Sequence, residues 1–136
     1  GVQAAPVICY ESVFGAFVSE YSAKGAGFIA IITNDGWWGE TDGHRQHFHY
    51  ARLRAIEQRK AVARSANTGI SGFINQKGDV LEETNWMQAD VRHRTILAHS
   101  SLSLYARIGD VLGIAALGLF LLVAMLANKL AKLLAQ

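Results

Sequence analysis

The sequence predicts an α/β domain followed by one membrane-spanning helix. Two short apolar runs, residues 5–8 and 28–33, flank a helical pattern and have the length of buried strands. A strand, a helix and a second strand in this order form a parallel βαβ unit. Residues 111–127 contain seventeen consecutive uncharged residues, mostly Leu, Ala, Gly and Val, which is typical of a membrane span.

Composition limits the function classes. The chain has 136 residues, 51% of them hydrophobic, with one proline and thirteen glycines, so it is too apolar to be disordered and can bury a core. The net charge is +2 and the thirteen basic residues are spread along the chain, which gives no support to nucleic-acid binding. One cysteine permits no internal disulfide and leaves the redox compartment undecided. Because the chain begins at Gly1 without a signal peptide, we expect a fragment of a longer protein.

The first strand leads directly to the cysteine. Residues 5–8 predict a strand and residues from 12 onward predict a helix, so Cys9 lies near a helix N-terminus, where a thiol is activated as a nucleophile. The alternative is a small buried hydrophobe. Glu11 orients such a site, stabilises the helix dipole or forms a structural pair. The backbone N–H of Tyr10 is placed to donate to an oxyanion.

The helix is expected to run through Val13 and Tyr21 and to stop at residues 24–27. Residues 28–33 form an uninterrupted apolar run, which predicts a strand buried on both faces. The loop at residues 34–39 then follows at the strand's carboxyl end, where ligands bind in α/β sheets. Its Trp37 and Trp38 either line a substrate groove or pack the loop onto the domain.

A second helix is predicted over residues 44–60, and we interpret it as structural. Its apolar stripe consists of Phe48, Ala51, Ala55 and Ile56, with the arginines on other faces. The histidines of this helix do not converge at helical spacing, so we predict no zinc site from His44, His47 and His49. A dyad of Cys9 with His47 remains open, because spacing does not tell whether the two residues meet.

The remaining elements complete one α/β unit over residues 1–107. Strands are predicted at residues 61–65, 70–75, 80–81 and 91–97, with turns at 67–69 and 76–79. Residues 108–134 are expected to form a transmembrane helix with a short basic tail. Its span, residues 108–127, would be about 30 Å long, with Asp110 near the head groups. A buried core helix is the alternative, and the flanking charges do not settle the orientation.

Five motifs follow one another along the chain: Pro6-Val-Ile-Cys-Tyr-Glu11, Thr33-Asn-Asp-Gly-Trp-Trp-Gly39, Gln46-His-Phe, Ala51-Arg-Leu-Arg-Ala-Ile-Glu57 and Arg64-Ser-Ala-Asn-Thr-Gly69. Together they resemble the nitrilase superfamily, and the Cys-Tyr-Glu sequence with the terminal span resembles its apolipoprotein N-acyltransferase branch. The resemblance implies the C-terminal part of a nitrilase-like αββα sandwich followed by one transmembrane helix. It implies Cys9 as nucleophile, Glu11 as supporting carboxylate, and Asn34, Trp37 and Trp38 beside the substrate, without a cofactor.

The resemblance also implies a reaction and a location. The cysteine takes a fatty acyl chain from a phospholipid as a thioester and passes it to the α-amino group of the diacylglyceryl-cysteine of an apolipoprotein. The catalytic domain would face the periplasm from the bacterial inner membrane, with Lys129 and Lys132 in the cytoplasm. The family's base glutamate and catalytic lysine precede the nucleophile, and neither residue type occurs before Cys9 here. We therefore expect no catalysis by this chain alone, and open apolar sheet faces that favour aggregation.

Two other functions stay open. One is a membrane-tethered nitrilase-type amidase acting on a small soluble substrate, which further upstream membrane spans would disfavour. The other is a noncatalytic membrane-anchored module, which an upstream glutamate and lysine would exclude.

Overall fold

The computed structural model describes residues 1–134. Within this range the elements in chain order are β1 (Ala4–Ile8), a 3-10 helix (Cys9–Val13), α1 (Gly15–Ala23), β2 (Phe28–Thr33), a short 3-10 helix (Gly36–Trp38), α2 (Gly43–Gln58), β3 (Val62–Ala66), β4 (Gly72–Ile74), β5 (Val80–Glu83), α3 (Leu104–Ile108) and α4 (Val111–Leu134). The predicted α/β class is confirmed, and so is the βαβ unit formed by β1, α1 and β2.

The strands form one sheet in the order β1-β2-β3-β4-β5 across the described part of the chain. β1, β2 and β3 are parallel, with Val7 opposite Ile31 and Ile31 opposite Arg64. β4 and β5 then continue the sheet as an antiparallel hairpin. The carboxyl ends of β1, β2 and β3 therefore meet at one edge, which is where α/β sheets bind ligands.

The core lies between the sheet and the helices α1 and α2. Alternate residues of the parallel strands point into it, and they pack against Val18 of α1 and Phe48 of α2. The strand residues in the core include Ala5, Val7, Ile29, Ile31 and Val62, all nearly inaccessible to solvent. Removing this apolar surface from water is the main force that holds the helices on the sheet.

The opposite face of the sheet is open in this structure. Ile8 is 51% exposed and Ile32 is 56% exposed, although the neighbouring residues of the same strands are buried. The prediction that β2 is buried on both faces is therefore wrong. The physical reason is that α1 and α2 both lie on one side of the sheet, so alternate side chains of β2 meet either the helices or solvent.

The helix after Cys9 is interrupted. Phe14 has extended backbone angles, φ −94° and ψ 99°, and separates the 3-10 helix from α1. The predicted single helix from Ser12 to Lys24 is thus two elements. The carbonyl of Val13, at the end of the first element, accepts a hydrogen bond from Arg54 of α2 at 3.0 Å.

α2 is close to its predicted bounds but its buried stripe differs. Phe48, Ala51 and Ala55 are buried as predicted, whereas Ile56 is 41% exposed. Arg54 lies on the buried face, contrary to prediction, because its guanidinium pairs with Glu57 at 3.0 Å and with the carbonyl of Val13. A buried arginine is tolerated where partners of this kind offset the cost of removing its charge from water.

The predicted strand at residues 91–97 is absent, and residues 85–103 are irregular. Among the described residues, this segment pairs with no neighbouring strand. Side-chain hydrogen bonds hold it, such as the one from Gln76 to the carbonyl of Leu97, together with a backbone hydrogen bond from the N–H of His99 to the carbonyl of Gly27. Lys60 is fully buried and donates to the carbonyl of His99 at 2.7 Å. Burial lowers the pKa of the Lys60 ammonium, since a charge in a dry environment is costly.

The C-terminal helix begins later than predicted. Ile108 ends α3, and Gly109 has a φ of 69° that breaks the chain direction before α4. The Asp110 side chain then accepts a hydrogen bond from the N–H of Gly113 at 3.0 Å and caps the new helix. Val111–Leu133 is the one helix among the described residues that is long and apolar enough to cross a membrane, and none of it is buried against the domain.

Candidate active site

Three loops meet at the carboxyl edge of the parallel strands. Cys9 directly follows β1, Asn34 and Asp35 follow β2, and Asn67 follows β3. The backbone N–H of Asn67 donates to the carbonyl of Thr33 at 2.9 Å and joins two of these loops. The parallel register places the three strand ends side by side, so the sequence-predicted nucleophile lies at the edge expected for a ligand site.

Cys9 has an unusual backbone conformation. Its φ is 50°, in the left-handed region that residues with a Cβ rarely adopt. The turn is held by Glu11, whose carboxylate accepts a hydrogen bond from the N–H of Ile8 at 2.7 Å. The cysteine is half-buried and its thiol is free. A sharp strand-to-helix turn of this kind lifts a nucleophilic side chain out of the strand end.

Glu11 and Tyr10 both lie in the 3-10 helix that begins at Cys9. Glu11 reaches back over the turn to Ile8, which places its carboxylate beside the strand end that leads to Cys9. Tyr10 is the second residue of the 3-10 helix, and N–H groups in a first helical turn lack partners within the helix. The Tyr10 ring is half-exposed and lies 6.3 Å from the Trp38 ring.

A buried polar network lies behind the cysteine. The Nδ1 atom of His47 is 2.8 Å from Oδ1 of Asp35, and its Nε2 atom is 2.9 Å from the Ser12 hydroxyl. That hydroxyl lies 2.9 Å from the carbonyl oxygen of Cys9. His47 is therefore linked to Cys9 through the Ser12 hydroxyl and the Cys9 carbonyl. The dyad that the sequence left open would instead need a direct contact between the imidazole and the thiol.

Arg64 supplies the positive charge of this network. Its Nη2 atom lies 2.7 Å from Oδ2 of Asp35, and its Nη1 donates to the carbonyl of Ile70. Burial alone would raise the pKa of Asp35, but hydrogen bonds from His47 and Arg64 and their charges hold it below its ordinary value. Asp35 is therefore ionised at neutral pH.

Arg64 also interacts electrostatically with Cys9. Burial lowers the pKa of the Arg64 guanidinium, and the negative charges of Asp35 and of a Cys9 thiolate oppose that change. The guanidinium lies 5.7 Å from the centre of the Phe48 ring. Because an arginine remains protonated in proteins, the site presents a fixed cation that interacts electrostatically with Cys9, and a cation favours negative charge that develops near it.

The loop after β2 places its three predicted site residues differently. The Asn34 side-chain oxygen accepts a hydrogen bond from the N–H of Gly36 at 3.1 Å, so this atom shapes the loop. The Trp37 ring is 84% exposed. The Trp38 ring packs against the His47 ring, with their centres 5.1 Å apart, and so contacts the buried network. Trp37 thus has an open surface, while Trp38 has a packing contact with the site.

The three histidines of α2 separate as their spacing predicts. His44 stacks on Trp86 at 4.0 Å, His47 belongs to the buried network, and His49 is exposed. Among residues 1–134, no cluster of three or more His, Cys, Asp or Glu side chains could hold a metal ion.

Sequence reasoning missed Ser12, Asp35 and Arg64 as members of the site. Asp35 and Arg64 do stand inside the motifs quoted above, so the motifs contained a signal. Ser12 had no such signal beyond its distance of one helical turn from Cys9. Its contact with His47 depends on how α2 packs against the 3-10 helix.

Comparison with known proteins identifies the family. The model for "Carbon-nitrogen hydrolase" matches residues 1–107. The apolipoprotein N-acyltransferase of Chlorobaculum tepidum is 39% identical over 126 residues, which are 93% of this chain and 24% of that protein. The apolipoprotein N-acyltransferase of Nitrosomonas europaea is 35% identical and covers 93% of this chain and 25% of its own length. The chain thus spans about a quarter of these curated relatives.

Solved structures show the same fold. A carbon-nitrogen hydrolase from Helicobacter pylori G27 superposes with a TM-score of 0.55 at 13% identity, covering 65% of this chain and 38% of that chain. Saccharomyces cerevisiae Nit3, a member of branch 10 of the nitrilase superfamily, gives a TM-score of 0.50 at 20% identity. This superposition covers 63% of this chain and 34% of Nit3. The resemblance drawn from the motifs is confirmed, and since the family model matches most of its length, the chain belongs to the carbon-nitrogen hydrolase family.

Proposed function

We propose that the chain is part of an N-acyltransferase that moves a fatty acyl chain from a phospholipid to the N-terminal diacylglyceryl-cysteine of apolipoproteins. The observation that carries this proposal is Cys9, held at a sharp turn on the ligand edge of a carbon-nitrogen hydrolase sheet in a chain that also has a membrane-length helix. The names of the two apolipoprotein N-acyltransferase relatives support N-acyl transfer to an apolipoprotein acceptor.

The proposed reaction has two half-reactions. In the first, the Cys9 sulfur attacks the ester carbonyl of the phospholipid, a C–S bond forms, and the ester C–O bond breaks. The thiol proton leaves with the lysophospholipid, which departs as an alcohol. In the second, the α-amino group of the acceptor attacks the thioester, a C–N bond forms, and the C–S bond breaks. One amine proton returns to the Cys9 sulfur, so protons and atoms balance over the cycle.

Neighbouring groups have proposed roles in both steps. Each attack places negative charge on the carbonyl oxygen, and the backbone N–H of Tyr10 is proposed to donate to it. Glu11 supports the turn through its hydrogen bond from Ile8. Asn34, Trp37 and Trp38 are proposed to border the acyl group, with the exposed Trp37 ring available to apolar chains.

The membrane helix gives the reaction its location. α4 begins three residues after α3 ends, and α3 packs on α1 and α2. A helix of this length anchors the domain at the bilayer surface, where phospholipid esters are presented. We place the domain on the periplasmic side of the bacterial inner membrane, with Lys129 and Lys132 in the cytoplasm, in keeping with the positive-inside tendency.

The direct test replaces Cys9 in the complete gene product. The protein is assayed in detergent with phospholipid and a peptide that carries an N-terminal diacylglyceryl-cysteine. Cys9→Ala is expected to abolish N-acylation while the unfolding temperature stays near that of the unmodified protein. A peptide whose α-amino group is acetylated serves as the acceptor control. Retained acylation by Cys9→Ala, or acylation of the blocked peptide, would contradict the proposal.

A further inference from the structure

We propose that His47 is a positioning residue that holds the backbone of Cys9 in its reactive conformation through Ser12. The inference rests on the proposed function, since it assigns a role within the Cys9 reaction. The connected groups are the Asp35 carboxylate, the His47 imidazole, the Ser12 hydroxyl and the Cys9 carbonyl, which we call the Asp35–Cys9 relay. None of these groups has to touch substrate for the relay to act.

The imidazole is fixed at one end. Its Nδ1 atom lies 2.8 Å from Asp35, and the His47 side chain is only 1% exposed. Asp35 cannot shift, because Arg64 holds its other oxygen at 2.7 Å. Since Asp35 is ionised and accepts only, Nδ1 carries a hydrogen and donates it to the carboxylate. The Trp38 ring closes the space beside the imidazole.

The other end of the imidazole controls the serine. Ser12 is fully buried, and its oxygen lies 2.9 Å from both His47 Nε2 and the Cys9 carbonyl. A hydroxyl has one hydrogen and two acceptor sites. In the relay both ring nitrogens of His47 carry a hydrogen, so the imidazolium is paired with the ionised Asp35. Nε2–H donates to Ser12, the serine hydrogen is directed to the Cys9 carbonyl, and all three contacts are satisfied at once.

The Cys9 carbonyl is where such a restraint matters. With a φ of 50°, Cys9 stays in a conformation that the backbone by itself disfavours. The hydrogen bond to its carbonyl fixes the peptide plane that follows the residue, and with it the direction of the Cys9 side chain. Without it, the turn relaxes and the sulfur leaves the line of attack. The loss falls on the rate of the chemical step and leaves substrate binding unchanged.

The test uses two substitutions that each keep one end of the ring. An asparagine amide can replace Nδ1 and donate to Asp35 but is too short to reach Ser12, whereas a glutamine amide can replace Nε2 and donate to Ser12. In the complete gene product, His47→Asn is expected to lower kcat for acyl transfer by about 10²-fold with KM within about twofold. His47→Gln is expected to recover much of that loss. The exposed His49, on the same helix, provides the control His49→Ala.

Ser12→Ala breaks the relay at its far end without touching the Asp35 pair. It is expected to reproduce the kcat loss of His47→Asn, and the double variant Ser12→Ala with His47→Asn is expected to be no worse than either single variant. Unfolding temperatures are measured for all variants. A rise in KM at constant kcat, His47→Gln no better than His47→Asn among folded variants, or independent losses that multiply in the double variant would overturn the proposal.

A second substrate separates this inference from the proposed function. 4-Nitrophenyl butyrate acylates a reactive cysteine directly, without phospholipid or lipoprotein, and releases nitrophenolate in a measurable burst. The burst rate of His47→Asn is expected to fall and that of His47→Gln to recover. Equal burst rates in the unmodified protein and His47→Asn would overturn the relay alone. A burst with this ester but no acyl transfer from phospholipid would contradict the proposed function alone.

Discussion

The Nη2 atom of Arg64 lies 2.7 Å from the carboxylate of Asp35, and neither side chain is exposed to solvent. Asp35 follows β2 and Arg64 belongs to β3, so this ion pair joins two parallel strands at the edge that carries Cys9. Two charges removed from water are tolerated only when they satisfy each other. The pair therefore ties the integrity of the site to the packing of the sheet.

Removing one partner of this pair is expected to be costly. Asp35→Asn keeps the shape but leaves the Arg64 charge buried without its anion, which costs about 3–5 kcal/mol of folding free energy. Arg64→Met is expected to cost a similar amount. The double variant should lose less than the sum of the two, because it leaves neither charge unpaired. Equilibrium unfolding of the complete gene product in detergent measures all three, and strictly additive losses would contradict this prediction.

The same pair predicts a dependence of stability on acid. The pKa of Asp35 is lower in the folded protein than in the unfolded chain, so the unfolded chain binds the proton more tightly. The stabilisation is therefore fully present above the unfolded pKa of about 3.9 and is lost as the pH falls through the folded pKa. The stability difference between the unmodified protein and Asp35→Asn should shrink on acidification below about pH 4. A difference that stays constant down to the folded pKa would count against an ionised Asp35.

Gly69 is expected to tolerate no side chain. A Cβ at this position would overlap the Asp35 carboxylate, which Arg64 and His47 hold in place. Gly69→Ala should therefore displace Asp35 and cost about 1–3 kcal/mol of stability, together with most of the acyl transfer activity. Gly118→Ala is the matched control, because a Cβ there meets no atom within 4 Å. Measuring activity and unfolding temperature of both variants checks the prediction, and an active, stable Gly69→Ala protein would refute it.

The orientation of α4 can be tested with reporters. If Lys129 and Lys132 lie in the cytoplasm, a green fluorescent protein joined after Leu134 should fluoresce in a bacterial host, and alkaline phosphatase at the same point should be inactive. Reporters joined after Leu102, before α3, should give the opposite pattern, because the domain would lie in the periplasm. The same pattern at both junctions would mean that α4 does not cross the membrane.

The backbone of the site was predictable from sequence, since its signals are local. The apolar runs predicted β1 and β2, and the charge-free run predicted α4 to within a few residues at its start. The position of Cys9 at the junction of a strand and a helical turn was predicted in the same way. In contrast, the β-branched residues within 91–97 gave a false strand, because β propensity does not show whether a neighbouring strand is present.

The contacts of the site were not predictable, because they depend on packing between distant segments. Ser12 and His47 are 35 residues apart and meet only because α2 lies against the 3-10 helix. The side chains of Arg64 and Val62 lie on the same face of β3. Only the sheet register shows that helices cover this face. Local sequence patterns contain no information about either relationship.

The covalent state of Cys9 tests the proposed thioester chemistry most directly. The complete gene product is incubated in detergent with phospholipid and no acceptor, and the intact protein and its peptides are then weighed by mass spectrometry. We expect an added acyl mass on the peptide that contains Cys9, removed by hydroxylamine and absent from Cys9→Ala. An acyl mass on another residue, or transfer of the acyl chain to acceptor without any adduct on Cys9, would contradict it.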